Sequence, residues 1–294
     1  MILGAIDIGS NAVRMLIAEA EEFDDGNIDY TKLNFLRVPV RLGMDVFKTG
    51  CISQEKIDTM VDTMKTFQLL MKIYRVEHFK ACATSAMREA KNGEEVCRII
   101  KENTGIAIQI ISGSEEAGII YETHIAENMN HHQPYLYIDV GGGSTELLLF
   151  SNEQILFKAS FDIGTIRLLN NTVSEAQMND LKQFVKSQTK DLGSLKAIGS
   201  GGNINKIRSM SRIKDKYPLP LELLKEFLKE LGSHSIEERM HLYNIRRDRA
   251  DVIVPALQIY ISVMRWAGIE QIYVPKIGLA DGLIRMLFSE HNKA

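Results

Sequence analysis

The sequence predicts an α/β protein made of two duplicated halves, and three observations carry that expectation. Strand-like and helix-like segments alternate along the whole chain. Ile6-Asp7-Ile8-Gly9 returns as Ile138-Asp139-Val140-Gly141, 132 residues later, each time followed by a short polar turn and another apolar run. Phe79-Lys-Ala-Cys-Ala-Thr84 is echoed, in the same order, by Leu195-Lys-Ala-Ile-Gly-Ser200 at an offset of 116. A chain of 294 residues has room for two domains of about 150. The polar stretch Glu127 to Pro134 is the natural boundary, so the expected domains are 1–126 and 127–294. Duplicated halves of this kind face each other across a central cleft, with both Asp-x-Gly turns pointing into it.

Taken in order, Met1 to Asp7 and Val13 to Ala20 are apolar runs of strand length on either side of a Gly-Ser-Asn turn. Ser53 opens a long helix in which Ile57, Met60, Val61, Met64, Phe67, Met71 and Tyr74 recur at three- and four-residue steps. Such a methionine stripe suits core packing better than a cofactor groove. His78 to Ala83 reads as a strand, Gly93 and Gly105 bracket a helix, and Ile106 to Ile111 is a strand running into a helix start at Ser-Gly-Ser-Glu-Glu. In the second half, Tyr135–Asp139, Glu146–Phe150 and Gln154–Phe161 read as three strands. Ser174 with Gln177 opens a capping-box helix to about Asp191. Leu195 to Ile198 is a strand, and the rest is helical apart from a short strand at Gln271 to Val274.

Composition excludes several classes. With 45% hydrophobic and 25% charged residues, the chain is an ordinary globular one, and a net charge of −3 argues against a strongly basic nucleic-acid binder. Cys51, Cys82 and Cys97 form no CxxC pair, so neither a disulfide framework nor a structural zinc site is expected, and a reducing, cytoplasmic address fits. Asp7 interrupts what would be a signal core, and Val252 to Trp266 is too short to span a bilayer. No membrane and no nucleic-acid partner are expected; a homodimer is left open.

The sharpest chemistry lies in Asp139-Val-Gly-Gly-Gly-Ser-Thr-Glu146. Three consecutive glycines let backbone N–H groups approach a ligand, so Gly141, Gly142 and Gly143 can nest phosphate oxygens, with Ser144 and Thr145 adding hydroxyls. Asp139 and Glu146 flank the turn and could reach one divalent cation; a plain glycine hairpin with solvated acids is the alternative. This is no P-loop, because GxxxxGK[ST] is absent. The partner turn Asp7-Ile-Gly-Ser-Asn11 would supply Ser10 and Asn11 as an opposing phosphate cradle, with Asp7 at the cation and Arg14 at the position of Glu146.

Four further features carry weaker signals. In Ser112-Gly-Ser-Glu-Glu116, the capping-box spacing gives Glu115 a local structural job and leaves Glu116 the freer carboxylate. Glu116 could deprotonate an attacking water or merely complement the helix dipole. Arg88, just after a strand, is either a phosphate fork or a surface arginine. Gly199-Ser-Gly201-Gly-Asn203 could meet an anion at a helix N-terminus or simply be a tight connection. Lys206, Arg208, Arg212, Lys214 and Lys216 could track a polyanion, with a solvated helix face as the rival; His131-His132 has no companion ligands.

With those residues assembled, the sequence resembles the exopolyphosphatase/guanosine pentaphosphate phosphohydrolase (Ppx/GppA) family, within the actin–Hsp70–sugar kinase superfamily. The resemblance runs through AIDIGSNAVRMLIAE, ACATSAMREAKN, ISGSEEAGIIY, YIDVGGGSTELLLF, AIGSGGNINKI, RADVIVPAL and GLADGLI. It implies two ribonuclease H-like (actin-like ATPase) domains, with no C-terminal helical domain, since the chain stops at Ala294 where many members continue. It implies an Mg²⁺-dependent hydrolase that releases terminal orthophosphate from inorganic polyphosphate, short chains favoured, with the monovalent-ion requirement open. The family's catalytic glutamate falls on Glu116, its phosphate arginine on Arg88, and its metal-associated acids on Asp139 and Glu146. Water held by Glu116 would attack the terminal phosphorus in line. Ala280 stands where members often carry arginine. The alternatives are a guanosine pentaphosphate hydrolase, a kinase of the same superfamily, and a non-catalytic sensor of polyphosphate or an alarmone.

Overall fold

The computed structural model of the protein describes residues 1–24, 26–121, 133–152 and 154–292. The first half opens with β1 (Ile2–Ile8), β2 (Val13–Glu22) and β3 (Ile28–Val38), an antiparallel meander. Then come α1 (Leu42–Thr49), α2 (Gln54–Tyr74), β4 (His78–Ala83), α3 (Ser85–Glu89), α4 (Gly93–Thr104), β5 (Ile108–Ile110) and α5 (Gly113–Tyr121). The second half repeats the scheme with β6 (Tyr135–Val140), β7 (Thr145–Ser151), β8 (Gln154–Phe161), α6 (Thr165–Leu169), α7 (Glu175–Thr189), β9 (Lys196–Ser200) and α8 (Gly202–Ser211). It ends with β10 (Leu219–Pro220), α9 (Leu221–Gly232), α10 (Ile236–Tyr243), α11 (Arg247–Ala250), α12 (Ile253–Trp266) and β11 (Gln271–Tyr273), before the terminal helix α13 (Leu279–His291).

The two sheets have the same plan. One runs β3-β2-β1-β4-β5, with β4 and β5 parallel to β1; the other runs β8-β7-β6-β9-β11, with β10 added at its edge. The 132-residue repeat is exact in strand pairing: Asp7 lies opposite Arg14, and Asp139 opposite Glu146. The second echo is displaced. Leu3 pairs with His78 and Tyr135 with Lys196, so β4 and β9 are related by 118 residues, two more than the sequence match suggests. A two-residue slip keeps every side chain on its own face of a strand, so the apolar pattern alone cannot reject it.

β1 and the first part of β2 are buried on both faces, which is why they read as continuous apolar runs. Ile6, Ile8, Val13, Met15 and Ile17 pack with α2 and α4, and the whole methionine stripe of α2 is core. Leu3, Ala5, Leu16, Ala18 and Cys82 face the other way, against α13. Leu279, Leu283, Ile284, Leu287 and Phe288 of α13 are each almost fully buried there, worth about 1.5–3 kcal/mol apiece.

That docking changes the domain division. The chain separates into one unit of 1–123 plus 277–294 and another of 124–276, so the last helix belongs with the first half rather than with 127–294. Asp281 anchors its start, accepting the Gly278 N–H at 2.9 Å and pairing with Lys32 at 2.5 Å. Ala280 is 4% exposed in that interface, so it contributes packing.

Other expectations meet the structure as follows. The Ser174–Gln177 capping box forms in both directions. The apolar run from Val252 is the core helix α12, with Pro255 in its first turn, where the missing N–H costs nothing. Among the described residues no helix is long and apolar enough to cross a membrane. β3 is a half-exposed edge strand, with a register shift opposite Ile17/Ala18. His131-His132 lies outside the described residues.

Candidate functional site

In the first unit, the candidate residues collect where β1, β4 and β5 end. The turn after β1 closes with the Gly9 N–H donating to Ala12 C=O at 3.1 Å, and the loop entering α1 braces it: Gly43 N–H donates to Ser10 C=O (2.8 Å), and Arg41 N–H to Asn11 C=O (3.2 Å). The Ser10 hydroxyl is buried against that of Ser85, 2.8 Å away at the start of α3. Asp7, 4% exposed, is ion-paired with Arg14 at 2.5 Å across the β1–β2 ladder. Expected at the cation, Asp7 has its charge matched by a guanidinium instead.

Arg88 is positioned by α3 and donates from Nη1 to Ile111 C=O at 2.8 Å, which ties it to the loop leading into α5, the helix that carries Glu116. The capping box at that loop is complete: Ser112 N–H donates to Glu115 Oε2 (2.7 Å), and Glu115 N–H to Ser112 Oγ (3.2 Å). These bonds hold the Glu115 carboxyl below the usual glutamate range. Glu116, one residue on and half-buried, donates its backbone N–H to Ser112 C=O at 3.0 Å. The environment is acidic: burial pushes the Cys82 thiol up to about 11, and Asp7, Glu115 and Glu116 add to the shift, while Lys80 opposes it.

In the second unit the turn after β6 is built the same way. Gly141 N–H donates to Ser144 C=O at 2.9 Å, the exact repeat of Gly9 and Ala12. The start of α6 then occupies the turn's carbonyls: Thr165 N–H bonds Gly141 C=O (3.0 Å), Ile166 N–H bonds Gly142 C=O (2.8 Å), and Arg167 Nε bonds Gly143 C=O (2.6 Å). Gly164 makes this approach possible, since a methyl there would lie 2.5 Å from the carbonyl carbons of both Gly142 and Gly143. Among the described residues, the amides of Gly142, Gly143 and Ser144 donate to nothing.

Thr145 requires a correction. It is wholly buried, and its hydroxyl donates to Ile163 C=O at 2.5 Å, so its one proton braces the turn and does not reach a ligand. Asp139 and Glu146, directly opposite on β6 and β7, leave the same face of the sheet. Glu146 is 1% exposed and accepts the Ser160 hydroxyl at 3.0 Å. Gly201, at φ 114°, turns the chain from β9 into α8, and a side chain there would sit 3.2 Å from Asp139 Oδ1.

Sequence reasoning missed three residues here. Arg249 places Nη2 3.1 Å from where a Gly202 side chain would begin; it lies in the RADVIVPAL segment, but nothing marked it individually. Arg167 follows the Asp-Ile-Gly-Thr turn at 162–165, a signal that was legible. Tyr260 is fully buried beneath the site; burial, then the carboxylates of Asp139 and Glu146, push its hydroxyl well above its ordinary value. One base of the 206–216 cluster is turned inward, and its single acid is matched by a base from outside the cluster. Arg208 is 2% exposed and donates to Tyr217 C=O at 2.5 Å, while Asp215 is paired with Lys276 at 2.9 Å.

Two α/β units, each with a braced Asp-x-Gly hairpin at the end of its first strand, define a protein of the duplicated α/β class. The chain belongs to the Ppx/GppA phosphatase family, a family of hydrolases, whose model matches residues 23–291. It is 30% identical over 297 aligned positions to a bifunctional 3-dehydroquinate synthase/phosphatase of Fusobacterium nucleatum. That alignment covers 92% of this chain but only 44% of the relative, so the chain spans less than half of that curated protein. In fold it is similar to an exopolyphosphatase from Cytophaga hutchinsonii, with a TM-score of 0.85 and 24% identity, over 99% of this chain and 98% of the other. It is also similar to the Aquifex aeolicus Ppx/GppA family member, with a TM-score of 0.77 and 23% identity, over 100% and 99% of the two chains.

Proposed function

We propose that this protein is an exopolyphosphatase that releases terminal orthophosphate from inorganic polyphosphate, with Glu116 as the general base. The observation that supports it most is local: three turn amides that find no acceptor among the described residues stand beside two directly opposed carboxylates. Amides of this kind suit phosphate oxygens. One or two carboxylates on the same face are what a hard divalent cation takes from a protein.

The donor set fits Mg²⁺. Among the described residues there is no group of three or more His, Cys, Asp or Glu side chains arranged for a metal, and Mg²⁺ needs none. Such an ion takes one or two carboxylates together with water and substrate phosphates, and Asp139 and Glu146 would supply the carboxylates. When bound, the ion would neutralise charge on the phosphoryl oxygens. Asp7 is less suited, since Arg14 already satisfies it.

The chain's own residues divide the remaining work. Glu115 is committed to its cap, so Glu116 is the carboxylate able to orient a water and take its proton. Arg88, steadied by Ile111 C=O, offers a guanidinium to phosphoryl oxygens. Gly142, Gly143 and Ser144 offer fixed N–H dipoles that need no reorganisation as charge develops.

The test is phosphate release with Mg²⁺ from short polyphosphate, long polyphosphate and guanosine pentaphosphate, assayed side by side. Glu116→Gln should lower turnover by about 10²–10⁴-fold while polyphosphate still binds. Wild-type turnover in that variant would remove Glu116 as base. Release from guanosine pentaphosphate alone would replace the substrate.

A further inference from the structure

The two halves differ at one point of their otherwise matching ladders. In the first unit the parallel pairing of β1 and β4 runs through Ile8 and Ala83, and Thr84 N–H then bonds Ile8 C=O directly at 3.1 Å. In the second, the pairing of β6 and β9 stops one step earlier, at Asp139 and Ser200. Gly201 turns away at φ 114° to begin α8. The gap is filled by one hydroxyl, that of Tyr260 on α12. It donates to Ser200 C=O and accepts the Val140 N–H at 3.3 Å, so it bridges the two strands where they separate.

The bridge is wholly internal, since Tyr260 is 1% exposed. It also lies next to the chemistry. A side chain at Gly201 would begin 3.2 Å from Asp139 Oδ1, 3.2 Å from Val140 C=O and 3.5 Å from Tyr260 Oη, so the four groups share one small volume. Without the hydroxyl, Ser200 C=O and Val140 N–H both lose a buried partner. Such orphaned groups are costly, so the strands would close on one another or admit water. Either response moves the start of α8 relative to the Asp139 carboxylate.

We propose that Tyr260 is a positioning residue: its hydroxyl holds the β6–β9 ladder open by one step and so sets where Asp139 stands against the N-terminus of α8. The inference rests on the reading of Asp139 as a cation carboxylate. Its consequence is that divalent-ion affinity depends on a hydroxyl that touches neither ion nor substrate. In the first unit the ladder closes directly and Asp7 pairs with Arg14.

The experiment compares wild type, Tyr260→Phe and Asp139→Asn by Mn²⁺ titration in the presence of inorganic phosphate, followed by electron paramagnetic resonance. Hydrogen exchange of the Val140 amide and thermal melting are recorded alongside. Phenylalanine keeps the buried ring, so the fold is retained, and the melting curve reports the fraction folded. Tyr260→Phe should weaken Mn²⁺ binding by about ten- to a hundredfold, the range for supporting partners of a ligand, with faster exchange at Val140. A purely structural tyrosine would lower the melting temperature and leave the affinity of the folded fraction unchanged. Affinity within about twofold of wild type, with Val140 still protected, overturns the proposal. If Asp139→Asn binds Mn²⁺ as well as wild type does, the cation reading itself falls. Val140 exchange and orthophosphate affinity then decide for or against the bridge.

Discussion

Replacing Gly164 with alanine tests whether the glycine turn must be braced from behind to work. The φ of Gly164 is −139°, an extended backbone that alanine adopts freely, so any effect is one of space. The added methyl would lie 2.5 Å from the carbonyl carbons of Gly142 and Gly143, and ordinary contact begins at 3.4 Å. Backbone on both sides must therefore separate by about 0.9 Å, a displacement that in an active site can cost about 10²-fold in rate. Overpacking of this kind also destabilises by about 1–3 kcal/mol. In a unit of this size that is a fall of roughly 2–4 °C in Tm per kcal/mol. The assay is phosphate release measured well below the new Tm, with the folded fraction fixed by circular dichroism. The expected outcome is a folded protein whose turnover falls by about two orders of magnitude. A folded Gly164→Ala variant with wild-type turnover would refute the link between bracing and amide placement.

Other expectations follow from particular contacts. Arg14→Met leaves Asp7 buried without its partner and should cost roughly 1–3 kcal/mol in urea unfolding, the lower end for ion pairs because Arg14 is 31% exposed. Leu283→Ala, at a fully buried position of α13, should cost about 2–5 kcal/mol and accelerate hydrogen exchange in β1, against which that helix packs. Burial raises the thiols of Cys82 and Cys97 from 9.0 to about 11. At pH 8 only about 10⁻³ of each is thiolate, so iodoacetamide should label Cys51 first, as peptide mapping would show. Because the folded values exceed the unfolded one, the stability they contribute is complete below pH 9 and is lost as pH rises through 11, which alkaline melting curves would register.

The chemistry-bearing motifs were legible for a physical reason. Asp7, Asp139, Glu146 and the glycine turn are local: strand, turn and strand are contiguous, so sequence distance equals structural distance. The 132-residue repeat therefore reappears as identical pairings and identical turn hydrogen bonds. The cap on Glu115 spans three residues and was equally readable. Where a partner is remote, the pattern said little. Thr145 looked like one more hydroxyl for phosphate until the fold brought Ile163 C=O to it. Arg208 looked like a surface charge until Tyr217 folded back over it.

By itself, then, the sequence determined the duplicated α/β plan, most strand and helix positions, and the turns that bring amides and acids together. Each of these follows from a local period or a local turn requirement. Tertiary structure alone decided that α13 returns to the first half, because the matching apolar face lies more than 250 residues upstream on β1. It also decided that Tyr260 from a distant helix completes the β6–β9 ladder. Long-range packing leaves no period in the chain, and so these contacts could be read only once the chain was folded.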